Sequence, residues 1–148
     1  MKIVYIANSC EHVVRPFCDG LYKEFGADFK FLEVVGLDPA RAGIGSTEHR
    51  EYVFNMVGKR EEAKQLCDEA DIVIFAIVDL YYISDRIKHN KPTLYYSERL
   101  FKKSVLSLFK PKNFFKLYNY YVKPSRNNNF YLLSFPAFSN LLWLVMKP

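Results

Sequence analysis

Residues that could carry acid–base or nucleophilic chemistry follow the first apolar run of the chain. Cys10 and His12 lie in a short polar stretch directly after residues 2–7, a run that is apolar after Lys2 and contains no Gly or Pro. A histidine in such a loop can accept a proton from a substrate hydroxyl. A solvated loop histidine has the same sequence pattern, so both interpretations of His12 stay open.

Cys10 permits a second kind of chemistry, because Arg15 and Pro16 follow it. The phosphate-binding loop of low-molecular-weight tyrosine phosphatases resembles this pattern, but it places five residues between its nucleophilic Cys and its Arg. Only four residues separate Cys10 from Arg15, and Pro16 stands where that loop has Ser or Thr. The simpler interpretation is a partly buried thiol at a strand end, and the phosphatase is a remote alternative.

Glu98 and Arg99 form a second polar pair, directly after the apolar segment 92–97. If that segment is a strand parallel to the first one, the pair lies at the same edge of the sheet as His12. Glu98 and Arg99 then either bind a ligand in the crevice there or form an ion pair where a helix begins.

The elements that must position these residues begin with residues 2–7, an apolar run typical of a strand covered on both faces. An apolar stripe at helical spacing follows, with a predicted start near Arg15, where Pro16 fits the first turn, and an end at Gly26. Strand, tight loop and helix form the opening unit of a doubly wound α/β sheet, whose binding crevice lies beyond the carboxyl ends of the strands.

The same alternation continues along the chain. The pattern predicts further strands at 28–35, 71–77, 92–97 and 130–133, and helices near 47–58, at 59–70, after Asp79, at 99–110 and at 113–122, with a turn at 123–129. We therefore expect one domain over residues 1–148. Its predicted fold class is α/β: a Rossmann-like, doubly wound, mainly parallel sheet of about five strands with helices on both faces.

Charge is distributed unevenly along the chain. Residues 99–148 contain nine Lys or Arg and no Asp or Glu, whereas residues 1–98 contain twelve basic and sixteen acidic residues. The basic part is also rich in aromatic residues, which favours an anionic partner. It lacks a recognisable nucleic-acid-binding motif, so the remaining interpretations are a plain core and a membrane surface contacted by Lys102, Lys103 and Lys110.

Several classes of protein are not indicated. The three cysteines are widely spaced without C-x-x-C, so neither a zinc site nor a disulfide framework is predicted, and a reducing cytosol is the default. No P-loop motif occurs, and Gly43-Ile44-Gly45 lacks the third glycine of a dinucleotide fingerprint. No signal peptide is expected. The uncharged run 130–146 is interrupted by Pro136 and slightly short for a spanning helix.

The segment 95–103, YYSERLFKK, together with the first strand and residues 130–134, resembles the N-terminal half of a bacterial GT-B glycosyltransferase of the family 4-like, group 1 type. The resemblance implies two Rossmann-like domains with the active site between them. The N-terminal domain would receive the acceptor, a saccharide or lipid-linked saccharide, in cell-surface polysaccharide biosynthesis.

On this resemblance, His12 assists the acceptor hydroxyl, and Asn8, Ser9, Glu98 and Arg99 hold the acceptor. No cofactor or metal is expected in this domain, and the nucleotide-sugar donor belongs to a C-terminal domain that this sequence lacks. The chain alone is therefore expected to be inactive in transfer. We expect a cytoplasmic location, peripheral to the inner face of the membrane. A non-catalytic Rossmann-like module that binds a membrane or a partner is the alternative.

Overall fold

A computed structural model describes residues 1–10, 14–34, 50–76, 79–97, 110–126 and 129–134 of the chain. Its centre is a sheet of six strands: β1 (Ile3–Ala7), β2 (Phe29–Glu33), β3 (Val53–Asn55), β4 (Ile72–Phe75), β5 (Thr93–Ser97) and β6 (Phe130–Ser134). The strand order is β3-β2-β1-β4-β5-β6, and every neighbouring pair is parallel. The predicted α/β, Rossmann-like fold is confirmed.

Helices connect the strands: α1 (Arg15–Phe25), α2 (Arg60–Glu69), α3 (Ser84–Lys88), α4 (Pro111–Leu117) and α5 (Lys123–Ser125). The start of α1 at Arg15, with Pro16 in the first turn, agrees with the prediction. Gly26 ends this helix and has a φ of +54°, in the left-handed region that glycine adopts without strain. Asp79 caps a short 3₁₀ turn by accepting the backbone N–H of Tyr81 at 3.0 Å.

The two faces of the sheet bury separate apolar clusters. Helix α1 covers one face, where Cys18 packs with Phe29 and Phe31. Helices α2 and α3 lie on the other face, where Ala63 and Ile83 pack in one cluster with residues such as Val4, Ile6 and Phe75. Helices therefore cover both faces of the sheet, as the alternating pattern of the sequence predicted.

The predicted short helix near 47–58 is wrong for the part that the structure describes. Residues Val53–Asn55 form edge strand β3 instead. The backbone N–H of Phe31 donates to Tyr52 O at 2.8 Å, and that of Met56 donates to Glu33 O at 3.0 Å. Pairing with β2 satisfies these main-chain groups, and tertiary contacts outweigh a weak local pattern.

The chain between β5 and β6 differs from prediction in one further place. Helix α4 is followed by a π-helical turn, Tyr118–Val122, and the chain then continues helically as α5. Residues 123–125 are therefore helical, because Pro124 lies in the first turn of a helix, where its missing N–H costs little, whereas Arg126 and Asn129 have turn conformation as predicted for 123–129. The predicted helix at 99–110 lies almost wholly outside the described residues.

Candidate functional site

The carboxyl ends of all six strands lie at one edge of the sheet, since the strands are parallel. The winding direction reverses between β1 and β4, because the chain proceeds from β1 outward to β2 and β3 and then returns to β4. Open α/β sheets bind ligands in the crevice at this reversal. The candidate functional site is therefore the crevice formed by the segments that follow β1 and β4.

Asn8 and Ser9 lie in this crevice, directly after β1. Asn8 is exposed and Ser9 is half-buried. The main chain that carries them is fixed from both sides, because Ala7 O accepts the N–H of Val34 at 3.1 Å and Ile6 O accepts that of Ala76 at 2.9 Å. Both predicted residues therefore follow a strand end whose main chain is hydrogen-bonded on both sides, and an amide and a hydroxyl are side-chain groups that both donate and accept hydrogen bonds.

Glu33 fixes the next residue of this segment. Its Oε1 atom accepts the backbone N–H of Cys10 at 3.0 Å, and the side chain is only 7% exposed. A buried carboxylate needs hydrogen-bond donors, and an amide of the β1 loop supplies one here. Glu33 thus couples the end of β2 to the segment that carries Asn8 and Ser9.

Glu33 was not predicted as a functional residue, although its position in the sequence carries a signal. Phe29, Phe31 and Glu33 alternate along β2, so they point to the same face of the sheet, and the two phenylalanines are fully buried there. A charged residue at a core position of a strand is uncommon unless a polar partner is close. That periodicity marks Glu33, although it does not reveal the partner.

The thiols of Cys10 and Cys18 are both fully buried and hydrogen-bond to each other. The hydrogen bond with Cys18 lowers the pKa of the Cys10 thiol below its usual value, although burial opposes this. The same hydrogen bond and burial both raise the pKa of Cys18. A phosphatase loop requires an accessible thiolate and free amides, but Cys10 is inaccessible and its own amide binds Glu33.

A polar network joins α1 to the residues before β3, next to this thiol pair. Asp19 Oδ1 accepts hydrogen bonds from the guanidinium of Arg50 and, at 2.6 Å, from the hydroxyl of Tyr52. Burial, and then the hydrogen bond to Asp19, raise the pKa of Tyr52. The neutral phenol therefore persists at physiological pH and serves as a donor that ties α1 to the sheet.

Most of the other predicted site residues lie outside the described part of the chain: His12, Glu98, Arg99, Lys102 and Lys103. The strands that lead to the first three are described. β1 and β5 are parallel and separated by β4 alone, so their carboxyl ends are about 10 Å apart. Lys110 is exposed and directly precedes α4.

Two grooves lie away from the crevice. One, of about 380 Å³, runs beside edge strand β3 and α2 and is lined by Lys30, Glu51 and Glu62, among others. The other, of about 470 Å³, is lined by Asp68, Asp85, Arg86, His89 and Lys91. Neither of these two grooves is lined by Asn8 or Ser9, and the topology of the sheet is what identifies the crevice.

The part of the chain that the structure describes contains no group of three His, Cys, Asp or Glu residues that could hold a metal ion. Within that same part, no helix is sufficiently long and apolar to cross a membrane.

The fold and the position of the crevice define a Rossmann-like α/β protein with a polar segment at the reversal of strand order. Comparison of the chain with models of protein families, with curated proteins and with solved structures finds no match.

Proposed function

We propose that this chain is the acceptor-binding domain of a two-domain glycosyltransferase of the GT-B type. The observation that supports the proposal is the sheet order β3-β2-β1-β4-β5-β6, with Asn8 and Ser9 at the point of reversal. This arrangement offers amide and hydroxyl groups at the edge of the sheet where α/β proteins bind ligands. The proposed acceptor is a saccharide or lipid-linked saccharide used for cell-surface polysaccharides at the cytoplasmic face of the membrane.

In the proposed reaction, an acceptor hydroxyl attacks the anomeric carbon of a nucleotide-sugar. The new bond joins the acceptor oxygen to that carbon, the bond from the carbon to the phosphate oxygen breaks, and the nucleoside diphosphate leaves. His12 accepts the hydroxyl proton. Asn8, Ser9, Glu98 and Arg99 hold the acceptor, while a separate donor domain binds the nucleotide-sugar. The part proposed for residues 1–148 in this reaction is therefore to bind the acceptor.

Binding by the crevice can be tested on the isolated chain by NMR titration with two probe sets: free mono- and disaccharides, and the same sugars on a short-chain polyprenyl diphosphate. We expect amide shifts concentrated at Asn8, Ser9 and Ala76. Asn8→Ala should weaken binding about tenfold or more, as expected for the loss of a buried hydrogen bond to a ligand. The control variant, Asn119→Ala, removes an exposed asparagine far along the chain and should bind as the wild type does. No saturable shift up to millimolar sugar, or shifts confined to other surfaces, would contradict the proposal.

A second candidate function is a non-catalytic Rossmann-like module that binds a membrane or a partner. The exposed phenylalanines of α4, Phe114 and Phe115, favour it. The phosphatase alternative has less support, since Cys10 is buried and its amide binds Glu33. Turnover of an aryl phosphate that disappears in Cys10→Ser would overturn this ranking.

A further inference from the structure

Helix α4 exposes two consecutive aromatic side chains. Phe114 is 57% exposed and Phe115 is 62% exposed, and their rings lie edge to face with centroids 6.3 Å apart. Isolated apolar residues on a surface need no explanation, but two adjacent large rings form a patch of the kind that other molecules contact. Contact between these two apolar rings and water is unfavourable in free energy unless a partner covers them.

The helix that carries these rings has few contacts with the sheet. Among the described elements, α4 packs mainly against the π-helical turn Tyr118–Val122 that follows it. The guanidinium of Arg126 lies over the ring of Tyr118, 6.0 Å from its centroid, and so places another cation beside an aromatic ring in the same segment.

The charged residues of the segment that contains α4 are all basic. Lys110 and Lys112 are exposed at the start of the helix, and residues 110–126 contain five Lys or Arg and no Asp or Glu. An acidic side chain would weaken binding to an anionic surface, and the sequence has none from 99 to 148. Exposed phenylalanines beside lysines are typical of helices that lie at the interface of a membrane.

We propose that α4 docks the protein on an anionic membrane surface. Phe114 and Phe115 enter the headgroup region, while Lys110 and Lys112 contact anionic lipid headgroups. This inference develops the second candidate function and assigns the contact to one helix. It does not depend on glycosyl transfer, because membrane docking needs neither acceptor nor donor.

A membrane fits these observations better than a nucleic acid does. Each phenylalanine of the pair presents its edge or face to the other ring, so the two rings are not arranged as parallel platforms on which successive bases stack. A lipid surface requires no such arrangement, since it is fluid and accepts aromatic rings in any orientation. The charge excess is neutralised by anionic headgroups without fixed geometry.

The test is co-sedimentation of the full chain with vesicles of phosphatidylcholine containing 30% phosphatidylglycerol (about a third anionic lipid, to supply the surface charge that attracts lysines). We expect binding to these vesicles that weakens as salt rises, and much weaker binding to pure phosphatidylcholine. Phe114→Ser with Phe115→Ser should reduce partitioning about tenfold or more. Lys110→Gln with Lys112→Gln should reduce it about fivefold for each lysine.

Matched controls test whether position matters. Phe17 is 53% exposed on α1, and Phe17→Ser should leave vesicle binding unchanged. Lys23→Gln with Lys59→Gln removes two exposed lysines from other elements and should cause a much smaller loss than the Lys110 and Lys112 pair. Far-UV circular dichroism confirms folding of each variant, which is expected because every substituted side chain is exposed.

A lipid monolayer measurement separates insertion from adsorption. The wild type should raise the surface pressure of an anionic monolayer, and the variant lacking both phenylalanines should not. Three outcomes would overturn the proposal: no sedimentation even at low salt, equal binding by the Phe114 and Phe115 variant, or binding to single-stranded nucleic acid that is stronger than to vesicles and depends on the same phenylalanines.

Discussion

Replacement of Arg86 is expected to destabilise the protein strongly. Its side chain is 1% exposed, and its guanidinium donates four hydrogen bonds to main-chain carbonyls. Nη1 donates to Cys67 O at 2.7 Å and to Ala70 O, at the end of α2. Nη2 donates to Asp71 O at 3.1 Å and to Pro92 O at 2.7 Å, before β4 and β5. One side chain thus joins a helix end to the starts of two strands.

The expected loss of stability depends on the carbonyl groups that remain buried without a donor. Arg86→Met retains much of the volume but removes all four donors, and a buried acceptor without a partner costs roughly 1–3 kcal/mol. Burying the charge also has a cost, which is recovered when the cation is removed. Four neutral carbonyls lose their donor while the desolvation of one cation is recovered, so the expected balance is a loss of roughly 3–5 kcal/mol. That is a large part of the ~5–15 kcal/mol by which domains are stable.

Urea unfolding followed by circular dichroism measures this loss. The midpoint should fall while the slope stays constant, since the surface exposed on unfolding does not change. Arg86→Lys should lose less stability than Arg86→Met, because an ammonium still donates to some of the carbonyls. It does not reach all four, since its three donors lie at one point. If Arg86→Met does not fold, the lysine variant supplies the measurement.

Arg60→Met is the matched control. Arg60 is 59% exposed, lies 3.5 Å from Asp79 and stacks on the ring of Tyr81, so its loss should cost about 1 kcal/mol or less. If Arg86→Met costs no more stability than this control, the four carbonyl contacts of Arg86 do not stabilise the fold.

Further predictions concern Glu33 and the titrating side chains. Glu33→Ala should lower the free energy of unfolding by roughly 1–3 kcal/mol and speed hydrogen exchange at the Cys10 amide. Glu33→Gln retains an acceptor and should therefore lose less stability. Equal exchange rates at this amide in the wild type and both variants would refute the contact. Hydrogen bonds from Lys64, and then from Lys88, lower the pKa of Asp85 to about 2 from its ordinary 3.8. Its stabilisation is therefore present above pH 4 and lost as the pH falls through about 2, and Lys64→Met should raise the Asp85 pKa in an NMR titration. Burial raises the pKa of Cys67 to about 12, so this thiol should resist iodoacetamide at pH 8 until urea unfolds the chain.

The fold was predictable because its signals are local. Five of the six strands coincide with the apolar or alternating runs that predicted them, and helix α2 buries Ala63 and Cys67, which are four residues apart and so share one helix face. β3 was missed because three residues hold too little periodicity for assignment. Its identity as a strand depends on hydrogen bonds to β2, which the local sequence does not encode.

Only the position of the candidate site in the fold was predictable from the sequence. A crevice at the carboxyl ends of the strands follows from parallel topology, and Asn8 and Ser9 lie there. The burial of Arg86 was not predictable, since this residue stands in a short helix beside Asp85 and Lys88, where an arginine is usually solvated. Its partners are main-chain carbonyls from distant segments, and only the assembled fold brings them together.

The two buried charges act at opposite edges of the sheet, and this separates their effects. Arg86 binds carbonyls that precede β4 and β5, at the edge where strands begin, whereas Glu33 binds the amide that follows β1, at the edge where strands end. Ligands of parallel sheets bind at the second edge, where the strands end.

A conservative change at Arg86 should therefore lower stability and leave the ligand affinity of the folded fraction unchanged. A change at Glu33 should weaken ligand binding at Asn8 even under conditions where the chain is fully folded, because it loosens the segment that forms the crevice. If both variants lost affinity in proportion to their stability, the crevice would not depend on the Glu33 contact in particular.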